Sequence, residues 1–108
     1  MIYMVKDVSG QLTKYLKENE WVLVDFSATW CGPCTQQEPV LKDVSKQIQE
    51  VKFVKLDVDK DQATADEYKV TSIPTLILFH NREKKWRKEG FHSLRELKIN
   101  IEEILRTN

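Results

Sequence analysis

The stretch from Trp21 to Ser27, "WVLVDFS", restricts the fold more than any other part of the chain, because nearly every position in it is apolar. A strand with one wet face alternates apolar and polar residues, whereas a strand covered on both faces reads as a continuous run of β-branched and aromatic side chains. "VKFVKLDV" at 51–58 and "TLILFH" at 75–80 are similar in character, and the three runs predict the central strands of a sheet. "KKWRKEG" at 84–90 follows "FHNRE", whose Asn81 suits a turn, so a hairpin is expected with its second strand at an edge. "IYMV" at 2–5 is the candidate for the opposite edge.

Between these runs the apolar period changes to that of helices. Val8, Leu12, Tyr15 and Leu16 share one face of a first helix, with Ser9 as its expected cap. Val40, Leu41, Val44 and Ile48 share a face of a second, expected to begin near Cys34 and to kink at Pro39. Ala63, Ala65 and Tyr68 suggest a short third helix. In the last, Leu94, Leu97, Ile101, Ile104 and Leu105 form the stripe predicted to be buried, and Ser93 and Glu96 have the spacing of a capping box. The order strand, helix, strand, helix, strand, helix, strand, strand, helix predicts an α/β fold, a mixed sheet with helices on both faces. At 108 residues, with no repeat or linker, a single domain over 1–108 is expected.

Seventeen Lys and Arg residues balance seventeen Asp and Glu residues, so charge provides no overall attraction to nucleic acid or to an anionic membrane. The basic run from Lys84 to Lys88, with Trp86 inside it, reads better as an edge strand guarded by lysines than as a nucleic-acid surface. "MIYMVKDVSGQ" at the start has no basic head followed by a long apolar run, and no stretch of about eighteen apolar residues occurs. A cytoplasmic protein, neither secreted nor membrane-spanning, is the expectation.

The chain's two cysteines, Cys31 and Cys34, are separated by Gly32 and Pro33. Zinc needs three or four ligands, and beyond the cysteines only His80 and His92 are offered, so no metal site is expected. A permanent structural bridge is disfavoured where thiols are kept reduced. Inert burial is a fair reading of any cysteine, but position argues against it. Cys31 follows a strand end and precedes a helix, at the carboxyl edge of the sheet, where the helix N-terminus favours a thiolate. Gly32 and Pro33 make a tight turn that keeps the sulfurs within reach of each other, and Cys34, one turn deeper, is expected to be the more shielded. Asp25 is the one charge in a strand predicted to be buried.

These residues carry a resemblance. "VDFSATWCGPC", with Trp30 before the first cysteine, Asp25 six residues upstream of it, Pro39 in the following helix and "TSIPTLILF" further on, resembles the active-site segment of the thioredoxin family, and the element order agrees across 1–108. The resemblance implies a thioredoxin fold, a central five-stranded mixed sheet in the order 1-3-2-4-5 flanked by four helices. It also implies a protein disulfide reductase acting in cell redox homeostasis. Cys31 would attack a substrate disulfide, and Cys34 would resolve the mixed disulfide, leaving a redox-active Cys31–Cys34 bridge. Asp25 would exchange a proton with Cys34, its pKa raised by burial, with Lys55 opposing that rise. Lys55 reads equally well as an ordinary strand lysine reaching solvent. Gly32 and Pro33 would support the pair, and Pro74 resembles the family's cis-proline, which faces the cysteines. Ile73 would pair its backbone with an extended substrate segment, and Trp30, Ile73 and Gly90 would form an apolar rim. No bound cofactor is implied. Electrons would come from a reductase, an NADPH-dependent thioredoxin reductase, and the other partners would be disulfide-containing proteins, with the chain itself a monomer.

Three positions depart from the family pattern: Thr35 where a basic residue commonly follows the motif, Ser72 where glycine is frequent, and Phe91 where a small residue usually borders the groove. They leave the range of partners open. Gly-Pro between the cysteines favours a reductase over an isomerase or oxidant, which tends to place histidine next to the second cysteine. A binding or chaperone subunit on the same fold is the alternative from a different class.

Overall fold

Trp21 and Leu23 belong to one buried cluster while Val22, Val24 and Phe26 belong to another, so the strand that carries them is covered on both faces. The computed structural model describes residues 5–107. Along the chain run β1 (Lys6–Asp7), α1 (Leu12–Glu18), β2 (Trp21–Ser27), α2 (Gly32–Gln47), β3 (Val51–Asp57), α3 (Gln62–Glu67), β4 (Thr75–His80), β5 (Glu83–Glu89) and α4 (Leu94–Thr107). The sheet order is β1-β3-β2-β4-β5, with β1, β3 and β2 parallel and β4 and β5 antiparallel to their neighbours. This is the α/β architecture and strand order that the resemblance implies. The run with no wet face, β2, lies at the centre.

On one face Leu41, Val44 and Ile48 of the α2 segment and Leu97 and Ile101 of α4 pack on Trp21, Leu23, Val51, Phe53, Leu76 and Leu78. On the other, Val8, Leu12 and Leu16 pack on Val22, Val24, Phe26, Val54, Leu56, Ile77 and Phe79. Each fully buried aliphatic or aromatic side chain contributes about 1.5–3 kcal/mol, so the sheet is held from both sides. A third, small cluster of Ala28, Cys31 and Cys34, with Ile73 and Val58 against it, lies just past the end of β2.

Several local expectations are corrected. The first edge strand is Lys6–Asp7; of the expected 2–5, residues 2–4 lie outside the described residues, and Val5 is buried just before the strand. Ser9 does not cap α1. Its hydroxyl donates to Asp7 Oδ1 at 2.6 Å and accepts from the Asp57 amide at 3.0 Å, tying β1 to β3, while Gln11 stands at the helix start without a side-chain cap. The second helix begins at Gly32, earlier than expected, because Cys31 is itself its cap and Pro33 fits a first turn that has no use for its missing N–H. It continues through Pro39 to Gln47. Leu94, at the first position of α4, is 37% exposed and not part of the buried stripe, and Ile104 and Leu105 are only half-buried.

Other expectations hold. Ser93 and Glu96 form the capping box, the Glu96 amide donating to Ser93 Oγ at 3.2 Å and the Ser93 amide to Glu96 Oε1 at 3.3 Å. The β4–β5 hairpin turns on Asn81 and Arg82, with φ of 49° and 72°. Two successive positive φ values are what a two-residue turn needs to match the twist of its strands.

Candidate active site

The site is built where β2 ends and α2 begins. Cys31 and Cys34 are joined by a disulfide, with Cα atoms 5.3 Å apart. Cys31 Sγ accepts the Cys34 amide at 3.2 Å, satisfying one of the amides that a helix start leaves free. The Cys31 carbonyl accepts both the amide and the hydroxyl of Thr35, at 3.3 and 3.2 Å, so Thr35 folds its side chain back onto the turn. Cys31 Sγ also lies 3.8 Å from the Ile73 carbonyl oxygen. The Ile73–Pro74 bond is cis, as the resemblance implies.

Greater shielding of Cys34 is not observed: both cysteines are 5% exposed, within one small cluster with Ala28 against which Val58 and Ile73 pack. The difference is in their surroundings. Cys34 lines a polar cavity of about 200 Å³ together with Asp25, Glu38 and Lys55, and Asp7, Asp57 and Lys60 line it too. A cavity of this size and polarity has room for water.

Asp25 belongs to the same alternation as Trp21 and Leu23, the face covered by α2 and α4, and it is 1% exposed. Lys55 is its partner in the parallel register of β2 and β3, and Asp7 is the partner of Lys55 in β1. The ammonium of Lys55 donates to Glu38 Oε1 and Oε2 at 3.2 and 3.3 Å, and Asp25 Oδ1 has no hydrogen-bond partner among the described residues. Burial, reinforced by the charge of Glu38 and opposed by Lys55, pushes the Asp25 pKa up to about 7. This carboxyl can hold or release a proton near neutrality.

The expected rim is in part assembled. The Gly90 amide donates to the Pro74 carbonyl at 2.8 Å, which brings Gly90 beside the Ile73–Pro74 turn, and Gly90 has φ +84°, a conformation that favours glycine. Ile73 is half-buried against the cysteine cluster. Trp30 is 71% exposed yet anchored, its indole Nε1 donating to Asp59 Oδ2 at 2.8 Å. Phe91 is exposed, and Ser72, also exposed, accepts the Thr75 hydroxyl at its carbonyl.

Three residues here escaped the sequence reading. Glu38 was legible as a carboxylate four residues after Cys34 on a helix, hence on the same face. Asp59 carried no signal, because its partner is distant in sequence. Gln37, fully buried, looked like one more surface residue of α2. Its amide clamps His92, donating to the His92 carbonyl at 2.9 Å and accepting its N–H at 2.8 Å. Among the described residues no group of three or more His, Cys, Asp and Glu side chains is arranged to hold a metal ion.

A bridged Cys-Gly-Pro-Cys turn at the head of a helix, on a sheet of this order, defines a class: the thiol-disulfide oxidoreductases, whose chemistry is exchange between such a bridge and thiols elsewhere. Similarity to known proteins narrows the class. Residues 4–103 match the family model described as Thioredoxin. The thioredoxin of Rickettsia typhi is 40% identical over 98 residues, covering 90% of this chain and 92% of that one, and the thioredoxin of Rickettsia prowazekii is 43% identical over 97 residues, covering 87% and 92%. The structure of a mutant thioredoxin from Halobacterium salinarum superposes with a TM-score of 0.83 at 36% identity, covering 93% of this chain and 88% of that one. The chain belongs to the thioredoxin family, and its activity is dithiol-disulfide exchange.

Proposed function

We propose that the chain reduces protein disulfides with a division of labour between its cysteines. In the reduced form the Cys31 thiolate attacks a substrate disulfide. A bond forms between Cys31 Sγ and one substrate sulfur, and the other leaves as a thiolate that takes up a proton. Cys34 then gives its proton to the Asp25 carboxylate, directly or through water in the cavity, and attacks Cys31 Sγ. The Cys31–Cys34 bridge forms and the second substrate sulfur departs, to be protonated in turn. Two electrons have passed to the substrate, and an NADPH-dependent thioredoxin reductase returns two electrons to reopen the bridge.

The observation that carries this reading is the asymmetry around the bridge. Cys31 sits at the helix start against the Ile73 carbonyl, and Cys34 lines the cavity that holds Asp25. Gly32 and Pro33 set the turn between them. Trp30, Ile73 and Gly90 flank the approach, with the backbone of Ile73 available to an extended substrate segment. We take the chain to act as a cytoplasmic monomer of one domain. Among the described residues no helix is long and apolar enough to cross a membrane.

The test is NADPH-coupled reduction of insulin with a thioredoxin reductase, comparing wild type with Cys31→Ser, Cys34→Ser and Asp25→Ala. Loss of turnover in both cysteine variants is expected. Asp25→Ala should slow release of the mixed disulfide at neutral pH more than its formation. Full turnover in Cys31→Ser contradicts the reading.

A further inference from the structure

Across the parallel strands β1, β3 and β2 one row of the sheet reads Asp7, Lys55, Asp25, on the face covered by α2. In such a row the lysine has a carboxylate neighbour on each side, and the simplest arrangement would share its ammonium with the buried one. Lys55 instead donates to both carboxylate oxygens of Glu38, which reaches over from α2. Asp7 is occupied separately, by Ser9 and by Lys60 at 3.2 Å. Among the described residues Asp25 Oδ1 is left without a hydrogen-bond partner, inside the cavity that Cys34, Glu38 and Lys55 also line.

We propose that Glu38 is a positioning residue for the resolving step: by holding the Lys55 ammonium away from Asp25 and adding its own negative charge to the cavity, it governs when Asp25 carries a proton. The consequence rests on the reading of Asp25 as the proton acceptor of Cys34. An Asp25 paired with Lys55 would be ionised well below neutrality and would be a weak base; an Asp25 deprived of that partner takes a proton from a thiol more readily. The Lys55–Glu38 pair is about one-third exposed, so as a stabilising contact it is worth little. Its effect falls on a third group. Among the described residues the charges that line the cavity with Asp25 are Glu38 of α2, Lys55 and Asp57 of β3, Asp7 of β1 and Lys60 of the following loop, with Lys42 at 3.9 Å from Glu38. Among the described residues only Glu38 both binds Lys55 and carries the sign that opposes ionisation of Asp25.

The direct measurement is the titration of the Asp25 carboxyl carbon by ¹³C NMR in the bridged protein, where neither cysteine titrates. Glu38→Gln is expected to lower the Asp25 midpoint by roughly one pH unit, and Glu38→Asp, which keeps the charge, to restore most of it. In a Lys55→Met background the Glu38→Gln shift should shrink, because the freed ammonium no longer contributes to it. The inflection in the pH profile of mixed-disulfide resolution should move in the same direction as the midpoint, a readout that a merely structural residue would leave in place. An unmoved midpoint in Glu38→Gln overturns the proposal, whatever the turnover. A shifted midpoint with an unmoved resolution profile upholds the control of Asp25 by Glu38 and instead overturns the proton role of Asp25.

Discussion

Lys55 is the register partner of Asp25, yet its ammonium is bonded to Glu38, 3.2 Å from one carboxylate oxygen and 3.3 Å from the other. A buried carboxyl is therefore left beside a cation that is engaged elsewhere. Because its pKa rises from 3.8 to about 7, the folded protein binds a proton that the unfolded chain has already released across that interval. Stability contributed by the protonated form is complete near pH 4 and is lost as pH climbs through 7.

Asp25→Asn keeps the shape and removes the ionisation. In the bridged form the variant should be more stable than wild type by about 2–4 kcal/mol at pH 8, and should show no such gain at pH 4. Denaturant melts at the two pH values check this. An equal gain at both would mean that ionisation is not the cause.

The amide of Gln37 holds the turn before α4 by two hydrogen bonds to the backbone of His92. Gln37→Leu fills a similar volume but leaves an N–H and a C=O without partners, which should cost about 2 kcal/mol. Thermal melting should show the loss. Because Gln37 is not among the residues that line the Asp25 cavity, the pH profile of disulfide exchange should keep its inflections.

Trp30 is exposed but held by Asp59. If the indole forms part of the docking rim, Asp59→Ala should raise KM for a protein disulfide roughly two- to five-fold, the scale of one hydrogen bond, with kcat nearly unchanged. Steady-state insulin reduction gives both constants. A fall in kcat alone would place the effect in the chemistry, not in docking.

The sheet was legible because its signals are local: the apolar runs at 21–27 and 75–80 have the length and the β-branched and aromatic content of covered strands, and the Ser93–Glu96 spacing marked a helix start. Asp25 stood out by being charged within such a run. Cys31 and Cys34 stood out by spacing and by position at a strand end. Two features were misread and one pairing was missed, for physical reasons. Ser9 is preceded by a carboxylate and meets β3, and a partner 48 residues away drew it from the helix it seemed to cap. Cys31 capped α2 with its sulfur, a role for which serine, threonine and aspartate are the usual signs. Lys55 was expected beside Asp25, but Glu38 read as one more helix glutamate, and only the packing of α2 on the sheet joined the two.

The division of labour between the two cysteines is tested most directly by trapping. Reduced Cys34→Ser mixed with an oxidised substrate protein should accumulate a one-to-one mixed disulfide through Cys31, visible by mass spectrometry of non-reduced peptides, because nothing remains to resolve it. Cys31→Ser treated in the same way should accumulate little. Equal adduct through Cys34 in that variant would contradict the assignment of Cys31 as the attacking thiol.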